Sequence, residues 1–361
     1  MNDVTTPCTT ITVASPPTAG AVAIVQLHNE DEAALVDLLR GLSEHGDWPI
    51  GRMRLIELAG VDRGFVARLT GATAQIMPHG GRRVVDRIIG TLLDLGAVIQ
   101  SHPRAIAMYP EASCELEADA LATIARAASP VAIDLLAAQT GLWRDTIARN
   151  VPLNDSERDA IKQRSRQLDR LIDPPTVLVV GRPNVGKSTL TNRMIGRSAS
   201  VVADLPGTTR DWVTGLAQFS GVALRWLDTP GVRDTDDPIE AQAIALAAAA
   251  MRSADVLITM RDPTADYPAD DQLPRAPDMR VTNKIDIAKH DGPPGQPSHA
   301  HGSTVRISAL TGEGVDDLAA GILGQLGLDN VGATERWAFT PTLRQALIDP
   351  RDPVVRAYTG L

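Results

Sequence analysis

The sequence predicts a multidomain α/β and α+β protein, with a small N-terminal α+β domain, a short helical region and a domain built on a mostly parallel sheet. Three observations carry this. Short alternating apolar runs recur up to Met77; strand character vanishes from Glu111 to Ile172; and from Thr176 onward apolar strands alternate with helical patterns, as a parallel-rich sheet requires.

In the first domain, Ile11 to Ala14 and Val22 to Val25 read as strands around a turn at Ser15 to Gly20. Asn29 is placed to cap a helix whose apolar face is Ala33, Leu35, Val36, Leu38 and Leu39. Strands are expected over Arg54 to Leu58, Gly64 to Leu69 and Thr73 to Met77. A periodic helix then follows His79-Gly80-Gly81, with Val84, Ile88, Ile89, Leu92 and Leu93 on one face. Three helices follow, over Ala118 to Ala128, Val131 to Ile147 and Ser156 to Ile172, separated by Pro130 and by Asn150 to Asn154. Later strands are Thr176 to Val180, a hairpin of Trp212 to Phe219 with Val222 to Leu227, then Val256 to Met260, Met279 to Thr282 and Val305 to Ser308. Helices lie after Lys187, after Pro238 and over Val315 to Leu326. The expected domains are 1–105, 106–173, 174–327 and a C-terminal tail, 328–361, where Trp337, Phe339 and Leu343 are able to dock.

A hydrophobic content of 43% suffices for ordinary cores, and an aromatic content of 3% means aliphatic packing. A net charge of −9 excludes a global basic field, so any contact with RNA must be local. Cys8 and Cys114 are too few for a disulfide framework or metal cluster, which suits a reducing cytoplasm. No basic stretch followed by an apolar core opens the chain, and the apolar run Ala243 to Met251 is far short of the ~20 residues of a membrane helix. A soluble, cytoplasmic protein with no membrane partner is expected.

The chemistry centres on Gly181-Arg182-Pro183-Asn184-Val185-Gly186-Lys187-Ser188-Thr189, which follows an apolar strand and opens a helix. Such a P-loop presents the backbone N–H groups of Asn184 to Thr189 as an anion nest, sends Lys187 to the β and γ phosphates and places Ser188 on Mg²⁺. Asn283-Lys284-Ile285-Asp286, at a later strand end, selects the base. The Asp286 carboxylate accepts both N1–H and the 2-amino group of guanine, a donor pair that adenine lacks. Asn283 can bond base or loop, and the Lys284 stem can cover the ring. Ser308-Ala309-Leu310 offers the Ala309 N–H to guanine O6. Asp228-Thr229-Pro230-Gly231 supplies a carboxylate that reaches Mg²⁺ through water and a Gly231 N–H for the γ-phosphate. Thr208 and Thr209 lie where a switch segment must be, Thr209 being the expected Mg²⁺ ligand, although paired threonines also begin ordinary strands. Val232 cannot polarise water, so the group that positions the nucleophile must lie elsewhere.

These motifs resemble the Era-like branch of GTPases, and within it the MnmE (TrmE) family of tRNA-modification GTPases. Ala203-Asp204-Leu205-Pro206-Gly207-Thr208-Thr209-Arg210-Asp211 is similar to that family's switch segment. The spacing from Asp228-Thr229-Pro230-Gly231-Val232-Arg233 to Asp237-Pro238-Ile239-Glu240 is similar to its spacing to a catalytic Glu. His79-Gly80-Gly81, Leu92 to Ala97 and the domain order are similar too. The resemblance implies a Ras-like P-loop G domain that binds GTP/GDP and Mg²⁺, with Asn184 holding K⁺ in the role of an arginine finger. It implies that Glu240 orients the attacking water, with Lys187 and Thr209 as further catalytic groups. It also implies homodimerisation through the N-terminal and G domains, a tRNA-modifying flavoprotein partner, and tRNA.

Two departures stand out. The chain ends Arg356-Ala357-Tyr358-Thr359-Gly360-Leu361 where the family has a Cys-x-Gly-Lys signature, and the family's folate-binding stretch is replaced around Ser101-His102-Pro103-Arg104, which puts folate in doubt. GTPase chemistry carries over on the resemblance. Wobble-uridine modification stands beside two alternatives: an Era-like ribosome-assembly GTPase and a nucleotide-gated regulatory module.

Overall fold

In the computed structural model, which describes residues 8–15, 20–43, 46–100, 104–196, 213–228, 238–264, 266–268, 273–287 and 303–361, alternating apolar residues build the first sheet. The chain divides into two units, 1–122 with 357–361, and 123–356.

The first unit contains β1 (Thr10–Val13), β2 (Val25–His28), α1 (Glu32–Leu42), β3 (Met53–Leu58), β4 (Asp62–Arg68), β5 (Thr73–Met77), α2 (Arg82–Asp94), β6 (Val98–Ile99) and α3 (Ala105–Met108), and α4 (Glu115–Arg126) begins in it. Its strand order is β3-β4-β5-β2-β1-β6, antiparallel except for the β1–β6 pair. Inward residues such as Val25, Leu27, Ile56, Val66 and Ile76 pack with Leu35 and Leu39 of α1 and Ile88 and Leu92 of α2. Met53, Leu55 and Phe65 stay exposed on the other face.

Two expectations here need correction. The second strand begins at Val25 rather than Val22, because Val22 forms only an isolated bridge with His79 before the ladder starts. Asp31, not Asn29, caps α1, accepting the N–H of Ala33 at 2.9 Å. Asn29 is buried two residues earlier, where its Oδ1 accepts the Asp31 N–H at 2.9 Å and its amide donates to Thr9 Oγ1 at 3.0 Å.

The second unit takes in the end of α4 and continues with α5 (Val131–Ala148) and α6 (Asp155–Leu168). The latter starts at a capping box, in which Asn154 accepts the Glu157 N–H and Glu157 accepts the Asn154 N–H. A 3-10 turn at Asp169–Leu171 ends it short of Ile172. There follow β7 (Thr176–Gly181), α7 (Lys187–Gly196), β8 (Val213–Phe219), β9 (Val222–Asp228), α8 (Pro238–Ser253), β10 (Val256–Arg261), β11 (Met279–Thr282), β12 (Ser303–Arg306), α9 (Val315–Leu326) and α10 (Pro341–Ala346), with α11 (Pro353–Thr359) last in the chain. The strand order is β12-β11-β10-β7-β9-β8, parallel throughout except for the β8–β9 hairpin. Residues Val177 to Val180 and Val256 to Met260 are buried without a break, as strands covered on both faces require. The last strand lies two residues before its expected position, since Ser308 has already turned to donate its N–H to Glu313 O at 2.9 Å.

Trp337, Phe339 and Leu343 do dock, and all three are buried. The Trp337 carbonyl accepts the Trp143 indole N–H at 3.1 Å, its own N–H goes to Gln139 Oε1 at 2.7 Å, and its indole N–H goes to Asp169 at 3.0 Å. Among the described residues, no helix is long and apolar enough to cross a membrane.

Candidate functional site

The loop between β7 and α7 lies at the carboxyl end of the central strand, with β9 and β10 on either side, where open α/β sheets bind ligands. Gly181 is required there, since a Cβ would stand 2.3 Å from Met260 O. Gly186 has φ +98°, and a Cβ on it would stand 2.3 Å from Asn283 Nδ2. Asn184 is exposed and also left-handed, with φ 65°, a conformation that asparagine tolerates better than most residues.

Lys187 opens α7 and is buried, its Nζ donating to Gly181 O at 2.9 Å and Arg182 O at 3.0 Å. Burial pushes its ammonium below the ordinary lysine value, opposed by the charge of Asp228. Asp228 ends β9, and its Oδ2 accepts the Ser188 hydroxyl at 3.0 Å. Burial raises its carboxyl above the ordinary value, opposed by the Ser188 bond, the Lys187 charge and the Thr191 hydroxyl. Its Oδ1 is buried with no hydrogen-bond partner among the described residues. Two residues earlier on β9, and therefore on the same face, Trp226 donates its indole N–H to Thr191 Oγ1 at 3.0 Å and fixes α7 against the strand.

The guanine motif is joined to this loop by direct bonds. The Asn283 amide donates to Val185 O at 2.9 Å and Lys284 Nζ donates to Asn184 O at 2.7 Å, so consecutive residues hold consecutive loop carbonyls. Asp286 is exposed. The Ala309 N–H is donated to Asn283 Oδ1 at 2.8 Å, so in this structure it is engaged within the protein. Ser308 is buried, and its Oγ accepts the Thr311 N–H at 3.1 Å.

Asn184, Val185, Gly186, Asp228, Asn283, Lys284, Asp286, Ser308 and Ala309 lie in the described loops and strand ends around β7, β9, β11 and β12, and Lys187, Ser188 and Thr189 form the first turn of α7. Thr208, Thr209, Gly231 and Val232 lie outside the described residues, and Glu240 lies in α8 with its side chain outside the description. Sequence reasoning missed Arg193, whose guanidinium reaches back from α7 to the carbonyls of Ala309, at 2.6 Å, and Leu310. It also missed Asp262, which pairs with Lys284 at 3.1 Å. Both act on or through backbone carbonyls, which leave no mark in residue type.

Residues 176–286 match the family model described as 50S ribosome-binding GTPase. The chain is 31% identical over 372 residues to the tRNA modification GTPase MnmE of Thiobacillus denitrificans, an alignment spanning 89% of this chain and 81% of that protein. It is 28% identical over 374 residues to the protein of the same name from Synechococcus sp. (strain WH7803), spanning 88% and 80%. Among solved structures, Era in complex with MgGDPNP and nucleotides 1506–1542 of 16S ribosomal RNA matches at 30% identity and a TM-score of 0.33, covering 42% of this chain and 56% of that one.

Proposed function

This chain belongs to the family of the tRNA modification GTPase MnmE, so it is a GTP-hydrolysing enzyme, and we propose that it works in the modification of tRNA wobble uridines. The observation that supports the GTPase part of the reading is the pair of bonds from Asn283 and Lys284 to the carbonyls of Val185 and Asn184, which joins a guanine loop and a phosphate loop in one site, and the tRNA part rests on the likeness to the tRNA modification GTPase MnmE.

The reaction is in-line attack of water on the γ-phosphate. The N–H groups of Asn184 to Thr189 and the ammonium of Lys187 hold the β and γ phosphates in register for attack. Asp286 accepts the guanine N1–H and 2-amino group, and when O6 takes the Ala309 N–H, Asn283 Oδ1 gives up that bond. Thr208 and Gly231 supply further contacts to the phosphates. The 3.0 Å bond between Ser188 and Asp228, and an Asp228 Oδ1 with no partner among the described residues, fit a hydrated divalent cation. Ser188 and Thr209 would hold Mg²⁺ directly and Asp228 through water. Bound there, the ion neutralises charge on the phosphate oxygens. The exposed amide of Asn184 is a neutral oxygen donor suited to K⁺. Glu240 orients the attacking water, the role Val232 cannot fill.

A homodimer through the N-terminal and G domains, and a flavoprotein partner that carries out the tRNA chemistry, complete this reading. The family-model match over residues 176–286 favours one alternative, a ribosome-linked GTPase. Mass spectrometry of tRNA wobble uridines in a deletion strain separates the two. Loss of the modification is expected, whereas intact modification together with co-purification of the protein with ribosomes would overturn the tRNA reading. At protein concentrations that permit dimerisation, turnover is expected to be faster in K⁺ than in Na⁺, and Glu240→Ala should slow it with GTP affinity nearly intact. Equal rates in the two salts would remove Asn184, and unchanged turnover in the variant would remove Glu240.

A further inference from the structure

The bond from Lys284 to Asn184 depends on a residue outside every motif. Asp262 follows β10, and both its carboxylate oxygens are engaged. Oδ1 accepts the Thr264 N–H at 3.0 Å and the Thr264 hydroxyl at 2.7 Å, while Oδ2 faces Lys284 Nζ at 3.1 Å. Those bonds hold its carboxyl below the ordinary carboxylate range, the Thr264 hydroxyl contributing most and Lys284 next. Lys284 is itself left-handed, with φ 61°, and its ammonium stands between Asp262 and the carbonyl of the left-handed Asn184.

We infer that Asp262 is a positioning residue of the GTPase site, acting through Lys284 to hold the phosphate loop in the shape that binds the γ-phosphate. The chain of contacts runs Thr264, Asp262, Lys284, Asn184. Lys284 has three donors, of which one is fixed by the carbonyl and one by the carboxylate. Without the carboxylate a flexible four-carbon stem has one anchor fewer, and the Asn184 turn loses its brace. Because Lys284 and Asp286 belong to one short loop, a guanine on Asp286 also steadies the ammonium that braces the phosphate loop. Base recognition thereby supports catalysis as well as affinity. The simpler role for Asp262 is an Asx turn closed by its bond to the Thr264 N–H. Asparagine makes the same turn, so Asp262→Asn removes the charge and leaves the turn in place.

This inference rests on the reading of the site as a GTPase. The test compares wild type, Asp262→Asn, Asp262→Glu and Thr264→Ala in full-length protein. Asp262→Asn is expected to lower kcat for GTP about tenfold, the scale of one charge-assisted bond, while the Kd for a fluorescent GDP analogue rises less than about threefold. Asp262→Glu should recover most of the kcat, and Thr264→Ala should give a smaller loss in the same direction. Hydrogen exchange across residues 181–187 in the nucleotide-free protein should quicken in Asp262→Asn. Wild-type kcat with unchanged exchange in Asp262→Asn would overturn the proposal, as would equal losses in kcat and GDP affinity that Asp262→Glu does not relieve. A wild-type protein without GTP turnover would instead sink the reading of the site, and the exchange measurement would still judge the brace.

Discussion

The two sheets bury their residues in different ways, and function follows the difference. In the first unit β3 and β4 alternate, with Ile56, Leu58 and Val66 inward and Met53, Leu55 and Phe65 exposed, so one face makes the core. In the second unit Val177 to Val180 and Val256 to Met260 are buried without a break, with Thr259 the one polar side chain among them, and the chemistry gathers at the strand ends. Buried charge differs as well. Arg68 in the first unit bonds Glu32 and the Trp48 carbonyl through its two terminal nitrogens, while its Nε, like Asp228 Oδ1 in the second unit, is buried with no partner among the described residues. The two differ in place: Arg68 is held among structural partners inside the first sheet, whereas Asp228 ends β9 beside Ser188 and Lys187 of the phosphate loop, where an arriving ion has a use for an open oxygen.

If stability in the second unit depends on covered surfaces, its most buried distant contact should dominate. Trp337→Ala removes a fully buried indole and its bond to Asp169 in the turn after α6, while the backbone bonds to Gln139 and Trp143 of α5 stay, and should cost about 3–5 kcal/mol. Phe65→Ala on the open face of the first sheet should stay within about 0.5 kcal/mol. Urea unfolding followed by tryptophan fluorescence and circular dichroism measures both. Similar costs for the two substitutions would break the contrast.

Much of the second unit was legible in the sequence because its chemistry is contiguous. The run Gly181 to Thr189 carries strand end, loop and helix start in nine letters, and Asn283 to Asp286 sits where a strand must end. The bracing was not legible: Lys284 was named as a cover for the base, but its bond to the Asn184 carbonyl was not foreseen, Arg193 likewise grips backbone carbonyls, which every residue has, and Asp262 looks like any acid after a strand. Docking of Trp337 was legible only as a capacity, since its partner Trp143 is 194 residues away and no local pattern names it. In the first unit the errors were of register. Asn29 and Asp31 are both good caps, and which one serves depends on Thr9, which draws the Asn29 amide into the sheet.

The smallest expected effect tests the charge comparison through pH. Burial raises the Asp228 carboxyl above its ordinary value of 3.8, so the folded chain favours the protonated form. Its contribution is therefore fully present below the ordinary value and lost as pH rises through the raised one. Asp62 in the first unit is the reverse. Burial pushes it up, but the backbone N–H and ring of His79 and the Arg63 N–H outweigh that and hold it below 3.8. Its contribution is present above the ordinary value and lost as pH falls through the lowered one. The His79 ring is largely exposed, so that contribution should be below about 1 kcal/mol. Unfolding of the nucleotide-free wild type, Asp228→Asn and Asp62→Asn from about pH 3 to about pH 8 should give difference curves of opposite slope. Wild type loses ground to Asp228→Asn as pH rises and gains ground on Asp62→Asn. Two slopes of the same sign would mean that Asp228 is as well met in the folded chain as Asp62, and its Oδ1, without a partner among the described residues, would no longer mark a place for a hydrated cation.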